Sequence, residues 1–403
     1  MESANFRWVM ASIVAGSVAN WTEILVRSWI VYDISGSVLA MGAVQASKQA
    51  PLLVMSFAGG VLADRVERKI LLISSQLASA AIAAGLAALV LMGVIEVWHF
   101  VAASVLEGVV GAVQQPARQA LIPSVVPRHH LMNAVALSGS VQNLAKLAGP
   151  ALASIAMGFA GPAAALLLEA VLYGCGSGAM TRVRLYSVDA AALGPGRWGP
   201  GRRPLGWLEG FRGYGYLRQN PVIGWLAILA LVPILFSLAN QTLAPVFAKD
   251  VLHIGASGLG LLFGAPAVGG VVGTLFVASA DDVRRKGLIT LSGVVLLGVA
   301  MVVFGMSPWL WLSLPALALH GFAHVAYRSI SQGLLQMNTP DEYRGRVMAV
   351  WSADRGLQPV STMAIAFVTS LWGAPTAVVL TGTGCVLVAL LVAAASRTIR
   401  ELD

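Results

Sequence analysis

Long apolar segments alternate with short polar segments along the whole chain. The apolar segments reach about 20 residues or more, the length that a helix needs to cross the hydrocarbon core of a bilayer. The pattern therefore predicts an all-α membrane protein with twelve transmembrane helices. We place them approximately at residues 8–32, 38–63, 69–94, 98–122, 131–158, 162–181, 220–247, 255–280, 287–306, 309–336, 344–371 and 374–396.

A basic segment rich in glycine and proline separates the sixth predicted span from the seventh. Residues 182–218 contain seven arginines and turns such as Gly194-Pro195-Gly196, which do not continue a helix. We therefore predict three parts: an N-terminal six-helix bundle at 1–181, a basic cytoplasmic linker at 182–218 and a C-terminal six-helix bundle at 219–403. Duplicated halves of this kind are common among secondary transporters.

A charged loop after the second span recurs in weaker form after the eighth. Each copy has one or two aspartates followed by three basic residues. We predict that the two loops form a conformational gate on the cytoplasmic face; the alternative is that their basic residues only fix the topology. The predicted gate residues are Gly60, Asp64, Arg65, Arg68, Lys69, Asp281, Asp282, Arg284 and Arg285.

Composition excludes a soluble protein. The 403 residues are 57% hydrophobic and 11% charged, whereas soluble domains have about 25% charged residues. We expect no cleavable signal peptide, because the first apolar run has the length of a span and no small-residue cleavage site follows it. Cys175 and Cys385 lie within apolar runs and are interpreted as core residues, not as a disulfide or metal ligands.

The distribution of basic residues predicts the orientation. With both termini in the cytoplasm, 20 of the 26 lysines and arginines fall on the cytoplasmic side, and Lys249 is alone on the opposite side. This asymmetry obeys the positive-inside rule. The net charge of +8 is thus assigned to topology and anionic lipid, with no nucleic-acid partner.

The residues Gly60-x-Leu62-Ala63-Asp64-Arg65-x-x-Arg68-Lys69 resemble the loop between spans two and three of the major facilitator superfamily. Glu67 stands where that family usually has glycine. The segments 116–123 and 343–348 are similar to the branch of transmembrane secretion effectors that includes the enterobactin exporter. Gly149-Pro150 is similar to a kink motif of the superfamily's antiporters, without its flanking glycines. The resemblance implies that spans 1, 4, 7 and 10 line a cavity and that spans 3, 6, 9 and 12 face lipid.

Polar and charged residues inside the predicted spans are the candidate site residues, because charge at membrane depth is costly and is usually functional. As carriers of a proton we consider Glu107 first, because its own helix offers no basic partner, then Glu23, Asp354 and His324. The substrate-cavity candidates are Asn20, Arg27, Lys48, Gln114, Lys146, Asn240, Gln241, His320, Tyr327, Arg328 and Arg355.

Two questions stay open from the residues alone. Glu23, Arg27 and Lys48 form either a structural ion-pair network or part of the transport machinery. Glu169 lies in span six, where the resemblance implies a lipid-facing helix, so its role is unexplained. The balance of intramembrane charge is neutral to basic, which favours an anionic or hydrogen-bonding solute over an organic cation.

We predict a secondary transporter, not an enzyme, in the cell inner membrane. The resemblance implies proton-coupled efflux of a small organic molecule, such as a siderophore or drug, by alternating access; the alternative is proton-coupled uptake of such a solute. No phosphate-binding loop or cluster of metal ligands occurs in the sequence, so we expect no cofactor and no metal site. The expected partners are the substrate, protons and lipid, with a monomeric protein.

Overall fold

The computed structural model describes residues 4–65, 67–126, 130–183, 239–279, 285–340 and 354–396, with isolated positions at 220, 223–226, 228, 229, 343, 347 and 400. In this part of the chain the regular structure is helical throughout, without strands. The all-α prediction is therefore confirmed. Most of the predicted linker, and Asp281, Asp282 and Arg284 of the predicted gate, lie outside the described residues.

Most helices begin and end close to the predicted spans, whereas the spans predicted at 220–247 and 344–371 are only partly within the described residues. Eight of the described helical segments are long and apolar enough to cross a membrane, as expected of a multi-pass membrane protein. The helices are α1 (Ala4–Ser35), α2 (Val38–Arg65), α3 (Arg68–Leu91), α4 (Val97–Val125), α5 (Leu131–Thr181), α6 (Ala239–Val246), followed by a π-helical turn (Phe247–Val251), α7 (Gly255–Ser279), α8 (Lys286–Met306), α9 (Leu310–Met337), α10 (Asp354–Trp372) and α11 (Ala374–Ala395).

Helix α5 contains a break that divides it into two arms. Its 51 residues would extend about 75 Å as one straight helix, more than twice the hydrocarbon core. The break lies at Gly161, where φ is +79°, and Pro162 follows it. The two arms match the spans predicted at 131–158 and 162–181. The helix continues through Gly149 and Pro150 without non-helical backbone at either residue.

The described helices belong to two compact units. The first comprises Met1–Leu193 and Ala244–Gly264, and the second comprises Gly194–Leu243 and Ala265–Asp403. In the first unit, α5 packs against α1 and α3, and α2 packs against α4. In the second unit, α8 packs against α9 and α11.

Glycine allows two of these helix pairs to approach closely. A Cβ atom at Gly108 of α4 would collide with the backbone carbonyl of Lys48 in α2. In the second unit, a Cβ at Gly298 would lie 2.6 Å from the carbonyl oxygen of Gly382, and one at Gly382 would lie 2.7 Å from that of Gly298. Small residues at helix contacts are a common means of packing helices in membranes.

Candidate functional site

Five charged side chains from four helices meet inside the first unit. We call them the charge cluster: Glu23 and Arg27 of α1, Lys48 of α2, Glu107 of α4 and Glu169 of α5. The three carboxylates and Arg27 are buried, whereas the Lys48 side chain is 28% exposed. Because these residues are far apart in sequence, the cluster exists only when the helices pack together.

Arg27 lies between the three carboxylates. Its Nη1 atom is 3.1 Å from Glu23 Oε1. Its Nη2 atom is 3.3 Å from Glu169 Oε1 and 3.6 Å from Glu107 Oε1. Glu169 and Glu107 therefore share one nitrogen of the guanidinium group. The ion pair with Arg27 explains why a carboxylate is present in span six, which the sequence alone left unexplained.

The three carboxylates differ in their other partners. Glu23 receives a hydrogen bond from Lys48 Nζ at 2.5 Å and another from the Tyr173 hydroxyl at 3.3 Å. Glu107 receives one from the Ser79 hydroxyl at 3.1 Å. Glu23 is thus paired with two cations, whereas the nearest hydrogen-bond donor to Glu107 is neutral. Glu23 is therefore the most fully paired of these carboxylates, whereas Glu107 has the longest ion pair with Arg27, at 3.6 Å.

The cluster carries one more carboxylate than it has cations. Fully ionised, its three glutamates and two basic residues have a net charge of −1. Among the described residues, Glu107 Oε1 and Glu169 Oε2 have no hydrogen-bond partner. An uncompensated charge and unsatisfied acceptors are costly in a buried site. One proton on these carboxylates would remove the excess charge.

A metal ion does not fit the cluster as it is arranged. Each glutamate places one oxygen within 4.8 Å of the others, a spacing that oxygen ligands of a cation can have. The Arg27 guanidinium, however, already pairs with all three carboxylates. A divalent ion would have to displace it and would then lie beside a buried positive charge. The arrangement therefore does not suit a bound divalent ion.

A polar cavity of about 240 Å³ lies in the same unit, between α1, α3, α4 and α5. Three of the predicted cavity residues, Asn20, Gln114 and Lys146, line it, whereas Arg27 and Lys48 belong to the charge cluster. Apolar side chains such as Ile13, Leu72 and Leu121 form the rest of the wall. Its polar lining consists of Ser12, Ser17, Asn20, Gln76, Gln114, Gln115, Arg118, Gln142 and Lys146.

The cavity and the charge cluster are neighbours along the same helices. Asn20 lines the cavity three residues before Glu23 on α1, and Gln76 lines it three residues before Ser79 on α3. Three residues correspond to about 4.5 Å of helix. A molecule in the cavity would therefore lie about one helical turn from the carboxylates.

Helix α3 contributes to this site, which the sequence pattern did not predict. The family resemblance implied that spans three and six face lipid, but Gln76 and Ser79 are buried, and Glu169 and Tyr173 of α5 are buried as well. Gln76 exchanges hydrogen bonds with Ser12 of α1. The available signal was the polar spacing Ser75, Gln76 and Ser79 on an otherwise apolar helix, which marks one inward-facing stripe.

The remaining predicted site residues lie in the second unit or lack described side chains. On α9, His324 stacks with His320 at 6.2 Å and meets the edge of the Tyr327 ring at 5.7 Å, with Arg328 next along the helix. Asn240 is buried and accepts a hydrogen bond from the Gln241 backbone amide. The side chains of Asp354 and Arg355 lie outside the described ones.

The first predicted gate loop contacts the end of another helix. Gly60, Asp64 and Arg65 belong to the last part of α2, and their side chains lie outside the described ones. Lys69, in the first turn of α3, donates hydrogen bonds to the carbonyl oxygens of Thr181 at 3.0 Å and Val183 at 2.7 Å. A cation at the carboxyl end of a helix satisfies free carbonyls and interacts favourably with the helix dipole.

Comparison with protein families and relatives identifies a group of exporters. The family described as "Transmembrane secretion effector" matches residues 1–402. The chain is 28% identical to the multidrug efflux pump Tap of Mycolicibacterium fortuitum, over 85% of this chain and 83% of the pump. It is 30% identical to the enterobactin exporter EntS of Citrobacter koseri, over 73% of this chain and 68% of the exporter.

Solved structures of transporters share the fold at low sequence identity. A bacterial homologue of the human lysosomal transporter Spinster aligns with a TM-score of 0.74 and 13% identity, covering 98% of this chain and 96% of that one. The nucleoside transporter NupG aligns with a TM-score of 0.73 and 12% identity, covering 97% and 99%. At these identities the likeness concerns the fold alone.

Proposed function

The chain belongs to the transmembrane secretion effector family of the major facilitator superfamily, and on that premise we propose that it exports a small organic molecule in exchange for protons. Its relatives include an efflux pump and an enterobactin exporter, so a drug or a siderophore is the proposed type of substrate. The family consists of membrane transporters, and the chain is accordingly a transporter, not an enzyme.

The observation that carries the proposal of proton coupling is the excess carboxylate in the charge cluster. Glu107 Oε1 and Glu169 Oε2 lack hydrogen-bond partners among the described residues, and they share Arg27 Nη2. We assign the transported proton to Glu107, because its neutral donor Ser79 lies on α3 one helical turn from Gln76 of the cavity wall, which places this carboxylate next to the cavity. Loss of this proton leaves the buried cluster negatively charged. Arg27 would then have to compensate the charges of both Glu107 and Glu169. This cost favours a different packing of the helices that carry these residues.

The proposed transport cycle requires an architecture with two mobile halves. We propose twelve transmembrane helices in two six-helix bundles, with both termini cytoplasmic, acting as a monomer in the cell inner membrane. In this scheme the loops around Asp64 and Asp281 form the cytoplasmic gate. The contact between Lys69 and the end of α5 supports a role for the first loop in holding helix ends together on that side.

Transport by purified protein in liposomes tests the proposal. A pH gradient that drives protons opposite to the substrate should accelerate movement of a fluorescent drug substrate. Glu107→Gln should abolish this acceleration and preserve the exchange of substrate without a gradient, because the amide cannot release a proton. Glu96→Gln is the matched control, since Glu96 is an exposed N-cap residue of α4.

Three outcomes would contradict parts of this proposal. A gradient without effect on the unmodified protein would exclude proton coupling. Acceleration only when protons and substrate move in the same direction would establish symport instead of antiport. A Glu107→Gln protein that still responds to the gradient would exclude Glu107 as the proton carrier.

A further inference from the structure

We propose that the cavity of the first unit is a binding subsite for the acidic group of an organic anion. The proposal deepens the proposed export function, on which it rests, by naming the chemistry of the substrate at this place. Its evidence is the set of groups that line the cavity, their existing partners and the volume that they enclose.

The charged groups of the cavity wall are cationic. Arg118 of α4 and Lys146 of α5 both line it, and none of the described lining residues is acidic. The Arg118 Nη2 atom donates hydrogen bonds to the amide oxygens of Gln115 at 3.1 Å and Gln142 at 3.4 Å, both neutral acceptors. These amides orient the guanidinium and leave its charge uncompensated by any carboxylate among the described residues.

A buried hydroxyl in the wall provides an independent observation. Ser17 is 5% exposed and lines the cavity, and its Oγ atom has no hydrogen-bond partner among the described residues. A buried hydroxyl without a partner costs free energy unless another group in the cavity bonds to it. An oxygen acid accepts hydrogen bonds from a hydroxyl and from a guanidinium group alike. An acidic group in the cavity therefore suits both the Ser17 hydroxyl and the Arg118 guanidinium.

The size of the cavity limits what it can hold. Its volume is about 240 Å³. Pockets for complete drug-sized molecules are larger, about 300–1,000 Å³. The cavity therefore holds one ring with its acidic substituent rather than a whole siderophore. Trp21 in the wall, with Lys146 Nζ 5.9 Å from its ring centroid, offers an aromatic surface for such a ring.

Equilibrium binding to the purified full-length protein in detergent tests the subsite without requiring transport. The probe is salicylate, with the neutral salicylamide and the cationic benzylammonium as comparison ligands, measured by titration calorimetry. We expect salicylate to bind at least about tenfold more tightly than either comparison ligand, because only salicylate forms charge-assisted hydrogen bonds with Arg118. Equal binding of all three would overturn the proposal.

Variants of the wall locate the binding. Arg118→Gln should weaken salicylate binding about tenfold or more, and Ser17→Ala about threefold, since a neutral hydrogen bond contributes less than a charge-assisted one. Arg182→Gln is the matched control, because Arg182 stacks on Trp8 at 4.6 Å and does not line the cavity. Its affinity should equal that of the unmodified protein. Unchanged affinity in correctly folded Arg118→Gln would overturn the proposal.

An anionic lipid carries an acidic group like that of an organic anion and would bind the same side chains. Native mass spectrometry distinguishes a bound lipid from a soluble organic anion. If purified protein retains phosphatidylglycerol and Arg118→Gln loses it, the cavity is a lipid site and the proposal is overturned. The test is also separate from that of proton coupling. Salicylate binding together with transport that does not respond to a pH gradient supports the subsite and rejects proton coupling. Proton-coupled transport without salicylate binding rejects the subsite.

Discussion

Arg27 forms ion pairs with a carboxylate on its own helix and with two others on α4 and α5. At the scale of the residue, this geometry explains how three buried glutamates are accommodated within one bundle. Desolvation of a buried ion is expensive, and the mutual attraction of the charges repays it only while the partners remain complete. Arg27 therefore holds the cluster together, whereas the partly exposed Lys48 pairs with Glu23 alone.

Removal of the Arg27 charge should destabilise the protein strongly. Arg27→Met leaves Glu107 and Glu169 without their cation, and breaking a buried pair on one side costs about 3–5 kcal/mol. The measurement is the free energy of unfolding in detergent, with Arg182→Met as the control for an arginine outside the cluster. The double variant Arg27→Met/Glu169→Gln should recover part of the loss, because the excess charge is smaller. Stability of Arg27→Met equal to that of the unmodified protein would contradict this account.

At the scale of the element, close contacts between helices position the charges. Gly108 lies one position after Glu107 on α4 and faces the backbone of Lys48 on α2. The absence of a side chain at Gly108 therefore brings two members of the charge cluster, Glu107 and Lys48, onto closely packed helices. On α5, Gly149 has a similar role: a Cβ atom there would lie 2.7 Å from the carbonyl oxygen of Val18 in α1.

A methyl group at Gly108 should separate α2 from α4. Gly108→Ala would place a Cβ against the carbonyl oxygen and carbonyl carbon of Lys48, which are backbone atoms and do not move easily. We expect destabilisation by about 1–3 kcal/mol, as in other overpacked sites. The control is Gly85→Ala on α3, where a Cβ meets nothing within 4 Å and helix propensity predicts a gain of up to about 1 kcal/mol. The unfolding midpoints of both variants in detergent check the prediction, and equal midpoints would refute it.

At the scale of the whole molecule, transport by alternating access requires contacts that open and close. Within the first unit, the end of α1 contacts the π-helical turn: Lys249 Nζ lies 2.5 Å from Asp33 Oδ1, and Tyr32 donates a hydrogen bond to Asp250. The ion pair is exposed, with side chains 39% and 48% accessible. Exposed pairs stabilise by about 0–1 kcal/mol, so breaking this ion pair would cost little free energy.

A covalent link at this contact should therefore stop transport. In a background with Cys175→Ser and Cys385→Ala, the variant Asp33→Cys/Lys249→Cys is treated with a short, reducible bifunctional thiol reagent. Cross-linking should abolish transport in proteoliposomes, and reduction should restore it. Each single-cysteine variant under the same treatment is the control. Full transport by the cross-linked protein would show that the end of α1 and the π-helical turn need not separate.

The sequence by itself determined the fold class, the helix boundaries near those observed and the family. These properties depend on local information: the length of apolar runs, their flanking polar residues and motifs within one loop. The break between the arms of α5 at Gly161 belongs to the same group, because the sequence already predicted separate spans at 131–158 and 162–181. Which polar residues share one face of a helix likewise follows from the helical period alone.

Tertiary structure alone decided which of those polar residues meet. Periodicity shows the face of a helix on which a residue lies, but not the helix that the face contacts or the separation between them. Glu169 thus appeared anomalous until α5 packed beside Arg27. The predicted cavity residues separated into a charge cluster around Arg27 and a cavity beside Asn20, Gln114 and Lys146. Contacts between helices distant in sequence made that division, because they alone determine which buried charges compensate each other.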